Sequence, residues 1–68
     1  MTIREIESNL DELISKHEDR IRFCEIMYQD SQEKEYQWLN VKRIWQNKLS
    51  ILKEMRELAS EYREQWYP

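Results

Sequence analysis

Apolar residues recur along this 68-residue chain in two helical stripes that differ in phase. Both stripes advance by steps of three and four residues, the spacing that places side chains on one face of an α-helix. The first consists of Ile3, Ile6, Leu10, Leu13, Ile14, His17, Ile21, Cys24 and Tyr28, and the second of Trp38, Val41, Trp45, Lys48, Leu52, Met55, Ala59, Tyr62 and Trp66. On one straight helix the two stripes would lie about 150° apart. Folding the chain back on itself brings them together, so the phase difference predicts an antiparallel two-helix hairpin.

The boundaries of the two helices are less clearly marked. The chain has no glycine and a single proline, its last residue, so no turn motif separates the stripes. Thr2 and Glu5 fit a capping box, and Asp30 and Glu33 fit a second. We therefore expect one all-α domain over residues 1–68, with helix one at about 2–29 and helix two at about 31–66. One continuous coiled-coil helix is the alternative.

The charges favour the hairpin over the continuous helix. Residues 1–30 carry four Lys or Arg against eight Asp or Glu, whereas residues 31–58 carry six against four. Two arms of opposite net charge attract each other when they lie side by side.

A turn centred near residue 30 fixes which residues should meet. The expected pairs are Ile3 with Leu58, Ile6 with Met55, Leu10 with Ile51 and His17 with Ile44. Helix one then ends first, and residues 59–68 overhang. This overhang would expose three amphipathic aromatic residues of the kind that favours interfaces, namely Tyr62, Trp66 and Tyr67.

Two further features indicate surplus apolar surface. A patch is expected at the turn end, formed by Phe23, Ile26, Met27, Tyr36 and Leu39. Ile44, Ile51 and Leu58 recur at intervals of seven beside the second stripe and widen its apolar face beyond that of a two-stranded seam. Because so small a domain buries little surface by itself, we expect dimerisation into a four-helix bundle.

The residues that could carry chemistry are few. His17 lies on an apolar stripe and is expected to be a core-edge histidine with a hydrogen-bond partner. Cys24, the only cysteine, cannot form an intrachain disulfide and is expected to be a small buried apolar residue. Lys48 either fixes register at a core position or lays its methylenes along apolar surface. The sequence therefore predicts no catalytic site, no metal and no cofactor.

These observations favour a non-catalytic protein-binding regulator, adaptor or chaperone that acts through the broad face of helix two and the aromatic C-terminal tail. A nucleic-acid-associated dimer is an alternative, although the net charge of −3 disfavours phosphate contacts. Its cations would be Lys42, Arg43, Lys48, Lys53 and Arg56. A structural coiled-coil subunit of a larger assembly is another alternative. No apolar run approaches the roughly 20 residues of a membrane span, and no signal peptide is recognisable, so we expect a cytoplasmic location and no membrane partner.

Overall fold

A computed structural model of the chain describes residues 2–33 and 35–66 and contains two α-helices, α1 (Ile3–Asp30) and α2 (Gln37–Trp66). Residue numbers in contact rise along one helix and fall along the other, since Glu7 meets Arg63 and Phe23 meets Trp38. The two helices are thus antiparallel and form a rod of 53 × 15 × 15 Å. The predicted all-α hairpin is confirmed, and the continuous helix is excluded.

Local hydrogen bonds fix the ends of the helices. The Thr2 hydroxyl oxygen accepts from the backbone N–H of Glu5 at 3.2 Å, which caps α1 as the sequence predicts. At the other end, the Ser31 hydroxyl donates to the carbonyl of Tyr28 at 2.8 Å and accepts from the N–H of Glu35 at 3.1 Å. Ser31 therefore ends α1 and orders the connection to α2 without any glycine.

The α2 stripe that packs on α1 contains Trp38, Trp45, Leu52 and Ala59, which lie seven residues apart. Opposite them lie three of the four buried residues of α1, Leu10, His17 and Cys24. The His17 and Trp45 rings meet edge to face with centroids 5.2 Å apart, and Phe23 meets Trp38 in the same way at 5.9 Å. Aromatic rings thus contribute to the helix contact in the turn-proximal half of the hairpin.

The predicted start of α2 and the predicted pairing are both wrong. α2 begins at Gln37 rather than near residue 31, and the expected partners of His17, Leu10 and Ile3 point outward. Their exposed fractions are 53% for Ile44, 58% for Ile51 and 63% for Leu58. The longer connection shifts α2 along α1, and burying Trp45 removes more apolar surface from water than burying an isoleucine would.

The expected overhang of residues 59–68 is wrong for the residues that the structure describes. Ala59 is only 9% exposed, and Arg63 pairs with Glu7 near the start of α1. Because the connection occupies residues 31–36, the first turns of α1 lie beside residues 59–63 of α2. Tyr67 and Pro68 lie outside the described residues.

Candidate interaction surface

One side of the hairpin exposes eight large apolar side chains, which we call the apolar face. They are Ile6 and Leu13 on α1 and Val41, Ile44, Ile51, Met55, Leu58 and Tyr62 on α2. Each is between 37% and 63% exposed. With Lys48, the α2 members advance by alternating steps of three and four residues from 41 to 62. They therefore form a second seam along α2, turned by about 80° from the stripe that packs on α1.

Two cations show that the α1 and α2 members border the same side. Arg20, which follows Leu13 by seven residues, lies over the Trp45 ring with its guanidinium carbon 4.7 Å from the centroid. Lys48 of the α2 seam lies over the same ring with its ammonium nitrogen 4.9 Å away. Such cation–π contacts stabilise the positions of both side chains over the ring. They also place positive charge in the middle of the apolar face. Lys48 lies in an exposed position, with its charge free to reach solvent.

The opposite side of the hairpin carries a charged network. The Glu7 carboxylate accepts from Arg56 and from Arg63, each at 2.7 Å, and Arg56 also donates to Asp11 at 2.7 Å and to Ser60. Glu7 is only 7% exposed, so this acid is almost removed from water. Glutamate tolerates such burial when paired cations hydrogen-bond to both of its oxygens.

Arg56 is the centre of that network. Its hydrogen bond to Asp11, together with the charges of Asp11 and Glu7, raises the pKa of its guanidinium above the ordinary value. Arginine is protonated in proteins in any case, so the guanidinium brings a full positive charge to this network. Shallow depressions beside the network are lined mainly by charged and polar residues, among them Glu57, Ser60 and Glu64. The polar side and the apolar face thus differ sharply in chemistry.

The residues predicted for partner binding are spread over several surfaces. Tyr62 belongs to the apolar face, and its ring centroid lies 6.2 Å from that of Trp66, which is 61% exposed. At the turn end, Ile26 and Tyr36 are 57% and 73% exposed, whereas Met27 and Leu39 are half-buried. Phe23 is 54% exposed although one edge of it packs on Trp38. Tyr67 lies outside the described residues.

His17 and Cys24 occupy the positions that the sequence predicts for structural residues. His17 is 8% exposed, and its Nδ1 lies 2.8 Å from the Leu13 carbonyl oxygen, to which it donates when that nitrogen is protonated. Cys24 is 2% exposed and lies in the helix contact. Within residues 2–33 and 35–66, no three His, Cys, Asp or Glu side chains come together as a metal site would require.

The apolar face was only partly predicted from the sequence. The seven-residue recurrence of Ile44, Ile51 and Leu58 indicates surplus apolar surface, although the predicted pairing also sets the same three residues against α1. The Glu7 network was not predicted at all. In the sequence, Glu7 lies at the margin of the first stripe and looks like any surface acid. Only its tertiary contact with α2 distinguishes it.

Comparison of the chain with protein-family models, with curated proteins and with solved structures gives no match. In the described part of the chain, neither helix is long and apolar enough to cross a membrane. The case for a function therefore depends on the surfaces of the hairpin.

Proposed function

We propose that this protein is a non-catalytic protein-binding module whose apolar face receives helices of another polypeptide chain. In this role it would act as a regulator, adaptor or small chaperone. The single observation that carries the proposal is the second heptad seam of α2, which the hairpin leaves exposed along most of the helix. Covering it would build a helical bundle.

The size of the apolar face supports this role. At exposures of 37–63%, its eight side chains present on the order of 800 Å² of surface, more than the largest apolar patch on a typical monomer. A standard protein interface buries about 800 Å² on each partner. The face is therefore large enough to form a stable interface by itself.

The spacing of the seam supports a helical occupant. Alternating steps of three and four residues present ridges that a second helix can fill with its own side chains. The apolar face has Ile6 and Leu13 of α1 along one edge and the α2 seam along the other, an arrangement that suits an amphipathic helix lying lengthwise.

The charges give less support to a nucleic-acid partner. Two of the five candidate cations are held in internal ion pairs, since Lys42 lies 3.1 Å from Glu25 and Arg56 binds Glu7 and Asp11. A third, Lys48, lies over Trp45. Phosphate contacts by these side chains would first have to displace the partners that they already have.

Site-specific photo-crosslinking in the native host tests the proposal. A photoreactive phenylalanine is placed at Ile51 on the apolar face or at Ile26 at the turn end, two isoleucines with exposed fractions of 58% and 57%. We expect a protein adduct from position 51 and none from position 26. The adduct should disappear when Ile44→Asn and Leu58→Asn are added, while circular dichroism shows unchanged helix content.

The control position makes every result decisive. Adducts from position 26 alone would move the interface to the turn end and overturn the assignment to the apolar face. Irradiation that yields no protein adduct at position 51 would contradict the proposal altogether. An adduct with any polypeptide at position 51 supports it, whether that polypeptide is a foreign protein or a second copy of the chain.

A further inference from the structure

We infer that this protein also binds a second copy of itself by exchanging helices, so that α1 of each chain packs on α2 of the other. In such a domain-swapped dimer, the connection straightens and each chain becomes one long helix. The inference goes beyond the proposed function, because it concerns the surface between α1 and α2 and leaves the apolar face exposed.

The residues that pack between α1 and α2 follow one heptad repeat along the chain. Alternating steps of four and three residues lead from Ile3 to Arg63 without a slip, and they pass through the connection at Ser31 and Glu35. Every position of this row except Glu35 is buried or half-buried. A heptad repeat keeps its residues on one side of each helix in a left-handed coiled coil. The row would therefore stay continuous if α1 and α2 formed one helix.

The second stripe predicted from the sequence hides this continuity. It alternates packed residues with exposed ones, and the exposed members include Val41 and Lys48. Those exposed members give the stripe a phase different from that of the first stripe. The α2 residues that pack on α1 instead continue the row of α1.

The contacts across the hairpin have a register that two chains can share. Asp11 binds Arg56 and Glu25 binds Lys42, and each pair is symmetric about a point between residues 33 and 34. A two-fold axis through that point sets two continuous helices antiparallel in the same register. Each ion pair would then form twice, between the chains, so the dimer keeps the contacts of two separate hairpins.

The composition of the connection allows a continuous helix. It contains neither glycine nor proline, and Gln32, Glu33 and Glu35 are good helix formers. In the hairpin, Ser31 is extended, with φ −70° and ψ 131°, and its hydroxyl accepts from the N–H of Glu35 at 3.1 Å. A helical Ser31 would exchange this contact for backbone hydrogen bonds of the helix. The balance between hairpin and dimer therefore depends on a few local contacts and on protein concentration.

Refolding from urea at two protein concentrations tests the exchange. Chains refolded at about 500 μM should give a species of twice the monomer mass by light scattering after size exclusion, whereas chains refolded at about 5 μM should be monomeric. Small-angle X-ray scattering should give this dimer a maximum dimension of about 100 Å, because a continuous helix rises about 1.5 Å per residue. The hairpin is 53 Å long, and two hairpins lying side by side would remain close to that length.

Gln32→Pro should block the exchange. The residue before a proline is held in an extended conformation, which Ser31 already adopts in the hairpin. A proline inside a continuous helix breaks it. We expect the dimer dissociation constant to rise at least about a hundredfold, while circular dichroism of the monomer shows unchanged helix content. Gln32→Ala is the matched control and should not weaken the dimer, because alanine favours helix.

Ser31→Ala should act in the opposite direction, which gives a measurement that does not depend on the proline variant. It removes the hydroxyl that accepts from Glu35 in the hairpin, and alanine favours helix. The dimer dissociation constant should fall by about tenfold. Ile44→Asn combined with Leu58→Asn should leave the constant unchanged, because both side chains belong to the apolar face.

Several outcomes would overturn the inference. A chain that stays monomeric after refolding at about 500 μM would rule out the exchange. A dimer no longer than the hairpin, or one that Ile44→Asn and Leu58→Asn abolish, would show that copies associate through the apolar face. A dimer that Gln32→Pro leaves unchanged would contradict a continuous helix. Crosslinking at position 51 reports on the apolar face alone, so the exchange and the proposed function can each fail while the other stands.

Discussion

A substitution at Glu7 tests most directly what holds α1 and α2 together at the end of the hairpin opposite the connection. The substitution Glu7→Gln keeps the size of the side chain but removes its charge. The carboxylate now accepts from Arg56 and from Arg63 at 2.7 Å, and it is the one nearly buried acid of the described chain. An amide has a single oxygen acceptor and turns its NH₂ group toward one guanidinium, so at least one hydrogen bond is lost.

The magnitude follows from the burial of the partners. Hydrogen bonds to charged groups contribute about 1.5–3 kcal/mol each, and breaking a fully buried ion pair costs about 3–5 kcal/mol. Both guanidiniums keep access to water, since the arginine side chains are 27% and 34% exposed, and Arg56 keeps Asp11. We therefore expect Glu7→Gln to lower the free energy of unfolding by about 2 kcal/mol.

Urea unfolding followed by far-ultraviolet circular dichroism, at one fixed protein concentration, measures this change. Glu57→Gln is the matched control, because Glu57 is exposed on the same side of the hairpin and forms no ion pair among the described residues. We expect the control to change the free energy of unfolding by less than about 0.5 kcal/mol. If both variants lose the same small amount, the network contributes no net stability, and α1 and α2 must be held there by apolar contact alone.

Three further predictions concern the connection, the helix contact and the C-terminal end of α2. Ser31→Ala should lower the free energy of unfolding by about 1 kcal/mol in the same urea titration, because both hydrogen bonds of the hydroxyl are lost. The control Ser15→Ala, on the exposed surface of α1, should not destabilise the protein. The Cys24 thiol, 2% exposed, should react with a chromogenic disulfide reagent at least about a hundredfold more slowly in buffer than in urea, and equal rates would show that the contact opens readily. Ala59→Glu should lower the free energy of unfolding by about 2 kcal/mol or more, since a carboxylate would enter the helix contact, while Gln65→Glu should be close to neutral. A tolerated Ala59→Glu would indicate that this end of α2 does not pack on α1.

Local rules were enough to predict the two helices. The phase difference between the stripes, the capping residue Thr2 and the structural positions of His17 and Cys24 all follow from helical spacing and side-chain chemistry, which act over a few residues. The chain contains no glycine to mark a turn, but the phase difference was enough to predict the hairpin. Ser31 performs the hydrogen bonding at the end of α1 that a glycine-containing turn would otherwise accommodate.

Only the tertiary structure decided which stripe of α2 packs on α1 and which stays exposed. Both stripes have helical spacing, so the sequence pattern alone cannot choose between Trp45 and Ile44 as the neighbour of His17. The choice depends on how far the connection over residues 31–36 displaces α2 and on where Glu7 finds Arg56 and Arg63. Those contacts join residues about 50 positions apart, and the balance of burial and ion pairing that selects them exists only once the helices lie side by side.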